Sequence, residues 1–459
     1  MQPLQEQSTS SLQRRAVFLG LSLTEFWERF ALAGLKSILT LLLIEELIPQ
    51  SRSIFGFDLL RSFLDWAADG ATGPLALASQ IYGFTNALVY LSIPVGGLIG
   101  DLMLGRRGSV LTGGASMIAG LLLMASIIGF LPGLVLFAAG TGLLKGNLSV
   151  QVGVLFENET QRRRAYSYYL VFLNVGVVFG PLAIGTAALL VGWQVALGLA
   201  AGGLAIGLAI YIAIVSDKYC AADFSANSPR APEGREKDVE EPGKRNTTMR
   251  LCGGMIATYL CFAAYGQIAN IVLVWSQQRV DLSIGPWDTP VGWILALDGL
   301  VTILLLFASQ AVFRHLSKRG MEIGPLTQIG LGCLICAAGY LVLAFGGSAI
   351  GGKVPLLLLL GYLVLVDLAV VLVWPSGLSI AASLAPKGQT GLWVGLFYLH
   401  GFFASLWVGW IGTHYETMGS TAFWLVHSAV SAVGAVLIAV SLLFTALARH
   451  DAYAITTSA

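Results

Sequence analysis

Long apolar runs of about 20 residues or more alternate with short polar segments along almost the whole chain. A run of that length gives an α-helix long enough to cross the hydrocarbon core of a bilayer. Twelve such runs lie at 16–46, 76–100, 108–131, 133–155, 165–191, 193–215, 251–278, 290–314, 324–346, 354–384, 389–412 and 421–447. The pattern therefore predicts an all-α membrane protein with twelve transmembrane helices.

One long polar, proline-containing segment interrupts this pattern and divides the predicted helices six and six. We predict an N-terminal six-helix bundle over 1–216, a mostly disordered cytoplasmic linker over 217–250 and a C-terminal six-helix bundle over 251–459. The basic stretches Asp101–Gly108 and Arg314–Gly320 lie at equivalent places in the two halves. Paired six-helix halves with matching basic loops are typical of a transporter with the major facilitator fold.

The composition and the charged loops add an orientation to this topology. The 459 residues are 56% hydrophobic and 11% charged, whereas a soluble domain has about 25% charged residues. Arg14 and Arg15 lead directly into the first apolar run, so we expect no cleavable signal peptide. Most loop arginines and lysines fall on one side, and the positive-inside rule then places both termini in the cytoplasm. We expect an integral protein of a bacterial inner membrane.

The first predicted helix carries charged side chains inside its apolar run. At about 100° per residue, Glu25, Glu28, Arg29, Leu32 and Lys36 share one face of this helix. A charge at the centre of a membrane helix costs roughly 2.5–3.5 kcal/mol. We therefore expect this face to line a polar pathway, with a salt-bridge cluster that only fixes helix packing as the alternative.

Other polar side chains in the apolar runs favour packing over chemistry. His400 and His427 are interpreted as packing residues, and Cys333 and Cys336 as buried thiols and not as a metal or redox pair. No nucleophile elbow, phosphate-binding loop or metal-ligand spacing is visible in the sequence. The sequence therefore predicts a protein that is not an enzyme and has no cofactor.

Two motifs in the first half resemble known transporter signatures. GGLIGDLMLGRRG, at Gly96–Gly108, resembles the loop signature of the major facilitator superfamily between its second and third helices. E-x-x-E-R-F, at Glu25–Phe30, resembles the first-helix signature of the proton-dependent oligopeptide transporter (POT/PTR) family within that superfamily.

Further matches to the POT family follow in the expected order. GTGLLKGNLSV, at Gly140–Val150, is similar to the family's fourth-helix segment, with Lys145 on its lysine and Gly146 in place of its proline. Tyr90 matches the second-helix tyrosine, and Asn174 matches the asparagine of the fifth-helix Asn-x-Gly. The chain is identified as a divergent member of this family.

The resemblance implies proton-driven symport of di- and tripeptides by alternating access. It places a proton-coupling cluster at Glu25, Glu28, Arg29 and Lys145. It places substrate contacts at Lys36, Tyr90 and Asn174. Lys36 and Lys145 would meet the substrate carboxylate. Inside the bundle, we expect either Glu25 or Glu28 to be the partner of Lys145.

Several positions depart from the family pattern. Leu32 and Ala33 stand where the family has two tyrosines. The acidic residue of the seventh helix is replaced by Ser276, and that of the tenth helix by Val370.

Two other acidic residues lie inside apolar runs and are candidates for the missing roles. Asp298 and Asp367 are therefore included as substrate-binding residues that would meet the ammonium group. The lost tyrosines and acidic residues leave open a non-peptide organic acid or drug-like substrate, with export as a further option. A non-transporting membrane sensor is the third hypothesis. Expected partners are the substrate, protons and the lipid bilayer, without nucleic acid, and the chain is expected to act as a monomer.

Overall fold

The structure is a computed structural model that describes residues 2–68, 73–156, 159–215, 244–347, 352–386 and 389–457. The described residues are almost entirely helical, and they form two compact units. The first unit contains the described residues up to 215 together with Ser283–Leu300, and the second contains the other described residues. The predicted linker lies largely outside the described residues.

The first unit contains seven complete helices. They are α1 (Gln2–Leu42), α2 (Phe57–Ala68), α3 (Pro74–Ile99), α4 (Gly105–Met124), α5 (Phe130–Val154), α6 (Glu159–Val191) and α7 (Trp193–Ile214). A π-helical turn and a 3₁₀ turn follow α1 at Leu43–Leu47 and Ile48–Ser53, and a π-helical turn joins α3 to α4 at Gly100–Leu104. Gly105 has a φ of 67°, which a side chain rarely adopts, so the direction of the chain changes there.

The second unit contains the remaining helices. They are α8 (Lys244–Tyr265), α9 (Ile271–Arg279), α10 (Trp293–Lys318), α11 (Pro325–Leu341), α12 (Leu356–Ser383), α13 (Thr390–Tyr398), α14 (His400–Gly412), α15 (Tyr415–Met418) and α16 (Ser420–Thr457). A 3₁₀ turn at Gly266–Ala269 joins α8 to α9, and a π-helical turn at Val342–Gly346 follows α11. Helix α10 is shared, because its first residues, up to Leu300, belong to the first unit.

Four two-residue strands complete the described elements. β1 (Val280–Asp281) pairs in parallel with β4 (Val354–Pro355), in the second unit. β2 (Ser283–Ile284) and β3 (Trp287–Asp288) form an antiparallel hairpin in the first unit. After this hairpin, Trp293 Nε1 donates a hydrogen bond to Thr186 Oγ1 at 2.9 Å, which attaches the start of α10 to α6.

Ten segments among the described residues are long and apolar enough to cross a membrane. One of them, Pro74–Met124, has 51 residues. At about 1.5 Å per residue it is too long for a single crossing, and it contains the two predicted spans α3 and α4. Helix α1 adds a further crossing that is more charged than the others. The twelve membrane helices predicted from the sequence are confirmed.

The seventh predicted span differs in detail from the structure. Helix α8 begins at Lys244, inside the range assigned to the linker, and the apolar run is broken by the 3₁₀ turn at Gly266–Ala269. A β-carbon at Gly266 would lie 2.7 Å from Val408 Cγ2, so this break is closely packed against α14. Asn270 then has φ −125° and ψ −104°, outside the helical region. Hydrophobicity alone does not reveal such a break, since both pieces are apolar.

Candidate functional site

The charged face of α1 forms a buried network within the first unit. Glu25 is 2% exposed and Glu28 is fully buried. Arg29 Nε donates to Glu25 Oε1 at 2.9 Å, the distance of a charge-assisted hydrogen bond. This pair joins residues one helical turn apart, which the sequence spacing predicts.

Glu28 lies between two cations that it contacts less closely. Its Oε2 is 3.4 Å from Arg29 Nε, and its Oε1 is 3.6 Å from Lys145 Nζ on α5. Both distances exceed those of a charge-assisted hydrogen bond, and neither Glu28 oxygen has a hydrogen-bond partner among the described residues. Of the two carboxylates that the sequence offers to Lys145, the structure places Glu28 within ion-pair distance.

Tyr169, on α6, is a member of this network that the sequence reasoning missed. Its hydroxyl donates to Glu25 Oε2 at 2.8 Å, and the side chain is 4% exposed. A periodic signal was present, because Gly176 and Gly180 lie seven and eleven residues later, on the same face of α6. Those two glycines are the points of closest approach to α1, so Tyr169 had to face α1 as well.

The close approach of α6 to α1 depends on these glycines. A β-carbon at Gly176 would collide with the Phe26 carbonyl, and one at Gly180 with the Phe30 carbonyl. The backbones of the two helices are therefore in direct contact beside the charged cluster. This contact brings the Tyr169 hydroxyl within reach of Glu25.

Lys145 is placed by a similarly close packing of α5 on α3. A β-carbon at Gly146, the position where the POT family has proline, would lie 2.6 Å from the Gly97 nitrogen. At the next residue, Asn147 Nδ2 donates to the Gly96 carbonyl at 3.0 Å. These contacts fix α5 against α3 directly after Lys145, whose side chain is only 9% exposed.

Lys36 lies further along the same face of α1 and is half-buried. Its Nζ is 5.9 Å from the centroid of the Tyr90 ring on α3, at the limit of a cation–π contact. None of the salt bridges recorded among the described residues includes Lys36. A half-buried cation against an aromatic ring is suited to bind an anionic group.

The remaining candidates are more dispersed. Asn174 is half-buried and donates to the Leu170 carbonyl of its own helix at 2.8 Å. Asp298 is half-buried near the start of α10, in the same compact unit as Lys36, and interacts electrostatically with Tyr82. Asp367 is fully buried in α12, in the second unit. The structure thus places one of the two extra acidic residues in the unit that carries the charged cluster.

The arrangement can bind and exchange a proton without a metal. Two carboxylates one turn apart face two cations in a nearly solvent-free interior, so a proton on either carboxylate changes the balance of the whole network. Among the described residues, no group of three or more His, Cys, Asp or Glu side chains could hold a metal ion.

Comparison with known proteins agrees with the fold. The chain is 24% identical to an uncharacterized transporter of Bacillus subtilis, YclF, over 435 residues, which are 82% of this chain and 83% of that protein. It is 24% identical to the peptide transporter YePEPT of Yersinia enterocolitica over 464 residues, 86% of this chain and 87% of that protein. A crystal structure of a peptide transporter POT in complex with sulfate superposes with a TM-score of 0.79 at 22% identity, covering 92% of this chain and 94% of that one.

The family itself follows from a match over most of the chain. The Major Facilitator Superfamily matches residues 52–409. The chain belongs to the Major Facilitator Superfamily, and it is similar over most of its length to peptide transporters, including one of the POT family.

Proposed function

We propose that the protein is a proton-coupled symporter that imports small peptides, or closely peptide-like compounds, by alternating access. The observation that carries this proposal is the position of Glu28, fully buried and 3.4 and 3.6 Å from two cations. Relatives that span most of the chain, such as the Yersinia protein, are peptide transporters. Intramembrane charges are costly, and such clusters commonly mark proton pathways.

Glu28 is the proton carrier in this mechanism. When a proton binds to a Glu28 oxygen, the carboxyl group becomes neutral and Lys145 loses its counter-ion. The Lys145 ammonium group then pairs with the carboxylate of the incoming peptide. After the peptide leaves on the other side of the membrane, Lys145 returns to Glu28 and the proton is released. Proton and peptide therefore move together because each binds one partner of the same ion pair, so that the binding of one frees the site of the other.

The substrate ends are assigned to two side chains of the first unit. Lys36, half-buried beside Tyr90, binds the peptide carboxylate together with Lys145. Asp298 binds the ammonium group, since it is half-buried and belongs to the same unit as Lys36. Asp367 is fully buried, which favours a structural role in α12.

The setting proposed for this transport is a bacterial inner membrane. Both termini face the cytoplasm, because the basic loops would then lie on the inner side. The coupling cluster lies within one chain, so a monomer is sufficient for the mechanism.

Uptake by proteoliposomes tests the proposal. We expect a pool of di- and tripeptides to accumulate only when the outside is more acidic, and Glu28→Gln to abolish this accumulation. Glu46→Gln is the matched control, because Glu46 is exposed just after α1. Uptake that is indifferent to the pH gradient in the wild-type protein would refute proton coupling.

A second candidate function keeps the fold but changes the substrate to a non-peptide organic acid or drug-like compound. In this candidate the direction of transport can be import or export. It is favoured by Leu32, which is 6% exposed where the family has a tyrosine, and by Val370 in place of the tenth-helix acidic residue. Competition decides between the two. If labelled dipeptide uptake is displaced only by compounds without a peptide bond, the second candidate replaces the first.

A further inference from the structure

We infer that Tyr169 is a positioning residue that gives the two buried carboxylates different roles. Through its hydroxyl it holds Glu25 as the permanent counter-ion of Arg29, so that Glu28 alone exchanges the transported proton. This inference rests on the proposed function and adds to it a residue on α6. The inference is based on the different contacts of the Glu25 and Glu28 oxygens.

The two carboxylates differ in how their oxygens are occupied. Both oxygens of Glu25 accept hydrogen bonds of normal length, at 2.9 Å from Arg29 Nε and 2.8 Å from the Tyr169 hydroxyl. Glu28 has two ion-pair contacts, at 3.4 and 3.6 Å, and neither oxygen has a hydrogen-bond partner among the described residues. Glu25 is thus fixed in place on both sides, whereas Glu28 is held only by charge.

The hydroxyl of Tyr169 also opposes protonation of Glu25. An ionised carboxylate only accepts hydrogen bonds, and Glu25 accepts one on each oxygen. A protonated Glu25 would present an O–H group either to Arg29, which cannot accept a hydrogen bond, or to Tyr169, whose hydroxyl would have to accept instead of donating. In both cases one charge-assisted hydrogen bond to the carboxylate would be given up. Glu28 meets no such obstacle, because its oxygens have room for a proton.

Among the described residues that face the cluster, Tyr169 is the one that the sequence did not predict; from α3, Tyr90 interacts electrostatically with Arg29. From α1 itself, Glu28 and Arg29 face Glu25, with Lys36 further along. From α5, Lys145 faces the pair, and from α6, Tyr169 does. Helix α7 approaches α1 through Gly203 and Gly207 against Trp27, and the Thr24 hydroxyl donates to the Gly207 carbonyl there.

Loss of the hydroxyl should redistribute Arg29. In Tyr169→Phe, Glu25 keeps one hydrogen bond and holds Arg29 less firmly. Arg29 Nε is already 3.4 Å from Glu28, so it can move closer to that carboxylate. A proton then has to displace Arg29 from a closer contact with Glu28, in addition to Lys145. A higher proton concentration is therefore needed for half-maximal transport.

The pH dependence of peptide uptake tests this inference. For Tyr169→Phe we expect the pH of half-maximal uptake to move to lower pH by about 0.5–1 unit. Tyr166→Phe is the matched control, because the Tyr166 hydroxyl lies on the same helix and donates to the Ser149 carbonyl of α5 at 3.1 Å, away from the cluster. We expect its midpoint to equal that of the wild type. A lower rate with an unmoved midpoint in Tyr169→Phe would show a merely structural role and overturn the inference.

A second measurement separates this inference from the proposed function. The melting temperature of the purified protein in detergent, recorded against pH, reports proton binding without any transport. We expect Tyr169→Phe to change the shape of this curve, and to leave it unchanged when Glu25→Gln is already present, because the hydroxyl acts through Glu25. If the wild type transports no peptide, the proposed function fails while this curve still tests Tyr169. If Tyr169→Phe changes the curve equally with and without Glu25→Gln, the inference fails.

Discussion

The interiors of the two compact units use different chemistry to bury polar groups. In the first unit, α1, α5 and α6 bury two carboxylates against an arginine and a lysine. In the second unit, the described hydrogen bonds between buried side chains are largely neutral. The Tyr362 hydroxyl donates to the Tyr340 hydroxyl at 3.1 Å, and Tyr340 in turn donates to the Ala264 carbonyl.

Further hydrogen bonds in the second interior are also neutral, although Asp367 is buried there as well. The His427 ring is fully buried 5.3 Å from the Tyr340 ring, and its Nδ1 lies 2.8 Å from the Phe423 carbonyl. The Ser431 hydroxyl donates to the Cys333 carbonyl at 2.9 Å. Neutral hydrogen bonds fix helices to one another, whereas buried charges respond to a proton and to a charged substrate. We therefore expect the proposed proton coupling to depend mainly on the first unit.

Removing the Lys145 charge should have the largest effect on transport, because it tests directly whether the buried charges of the first unit carry the coupling. Lys145→Met leaves Glu28 buried with Arg29 alone, and breaking a buried ion pair costs about 3–5 kcal/mol. We expect driven uptake to fall at least about a hundredfold and the melting temperature to fall by several degrees, with about 1 kcal/mol corresponding to roughly 2–4 °C.

The control for Lys145→Met is Lys318→Met, which removes an exposed lysine at the end of α10. We expect that variant to retain uptake and stability. The double variant Lys145→Met, Glu28→Gln should recover the lost stability but not the driven uptake, since it removes the unpaired charge and the proton carrier together. Full uptake in Lys145→Met would remove Lys145 from the coupling mechanism.

Replacing the two extra acidic residues by asparagine, one at a time, should have an intermediate effect. The two variants test whether the ammonium site lies in the first unit or in the second. A hydrogen bond to a charged group contributes about 1.5–3 kcal/mol, so Asp298→Asn should raise the KM for dipeptides about tenfold or more. The KM for N-acetylated dipeptides, which lack the ammonium group, should not change. The KM and the melting temperature are measured for Asp298→Asn and for the Asp367→Asn variant of the second unit.

Asp367→Asn is the counterpart in the second unit. Because Asp367 is fully buried, we expect a change in melting temperature with an unchanged KM. The assignment of the ammonium site to Asp298 is wrong if Asp367→Asn, and not Asp298→Asn, weakens the binding of unblocked dipeptides.

The sequence predicted the twelve helices and much of the charged network. Helix length and hydrophobicity determine membrane spans strongly, and charges one turn apart must share a face, so Glu25 and Arg29 were paired correctly. The choice of Glu28 over Glu25 for Lys145 was left open, because the rotation of α5 about its axis depends on packing with α3. Gly146 and Asn147 decide that rotation, through contacts that sequence spacing does not show.

Tyr169 shows why part of the site escaped sequence reasoning. It lies in the segment YSYYL, in which three of the five residues are tyrosines. Only the direction set by Gly176 and Gly180 distinguishes Tyr169, which faces α1, from Tyr168, which is 58% exposed. The break after Tyr265 escaped for a related reason, because it is a feature of backbone packing within an apolar run.

The smallest effect is predicted for a neutral hydrogen bond in the interior of the second unit. Tyr340→Phe removes a hydroxyl that donates to the Ala264 carbonyl and accepts from Tyr362, while the ring stays packed against Trp424 and His427. A typical hydrogen bond contributes about 0.5–1.5 kcal/mol, so we expect a modest loss of thermal stability. The pH of half-maximal uptake should not move, because no charged group of the cluster contacts this hydroxyl in the described part of the chain. A shift of that midpoint comparable to the one expected for Tyr169→Phe would mean that the second unit also takes part in proton coupling, and the two interiors would then differ in chemistry but not in role.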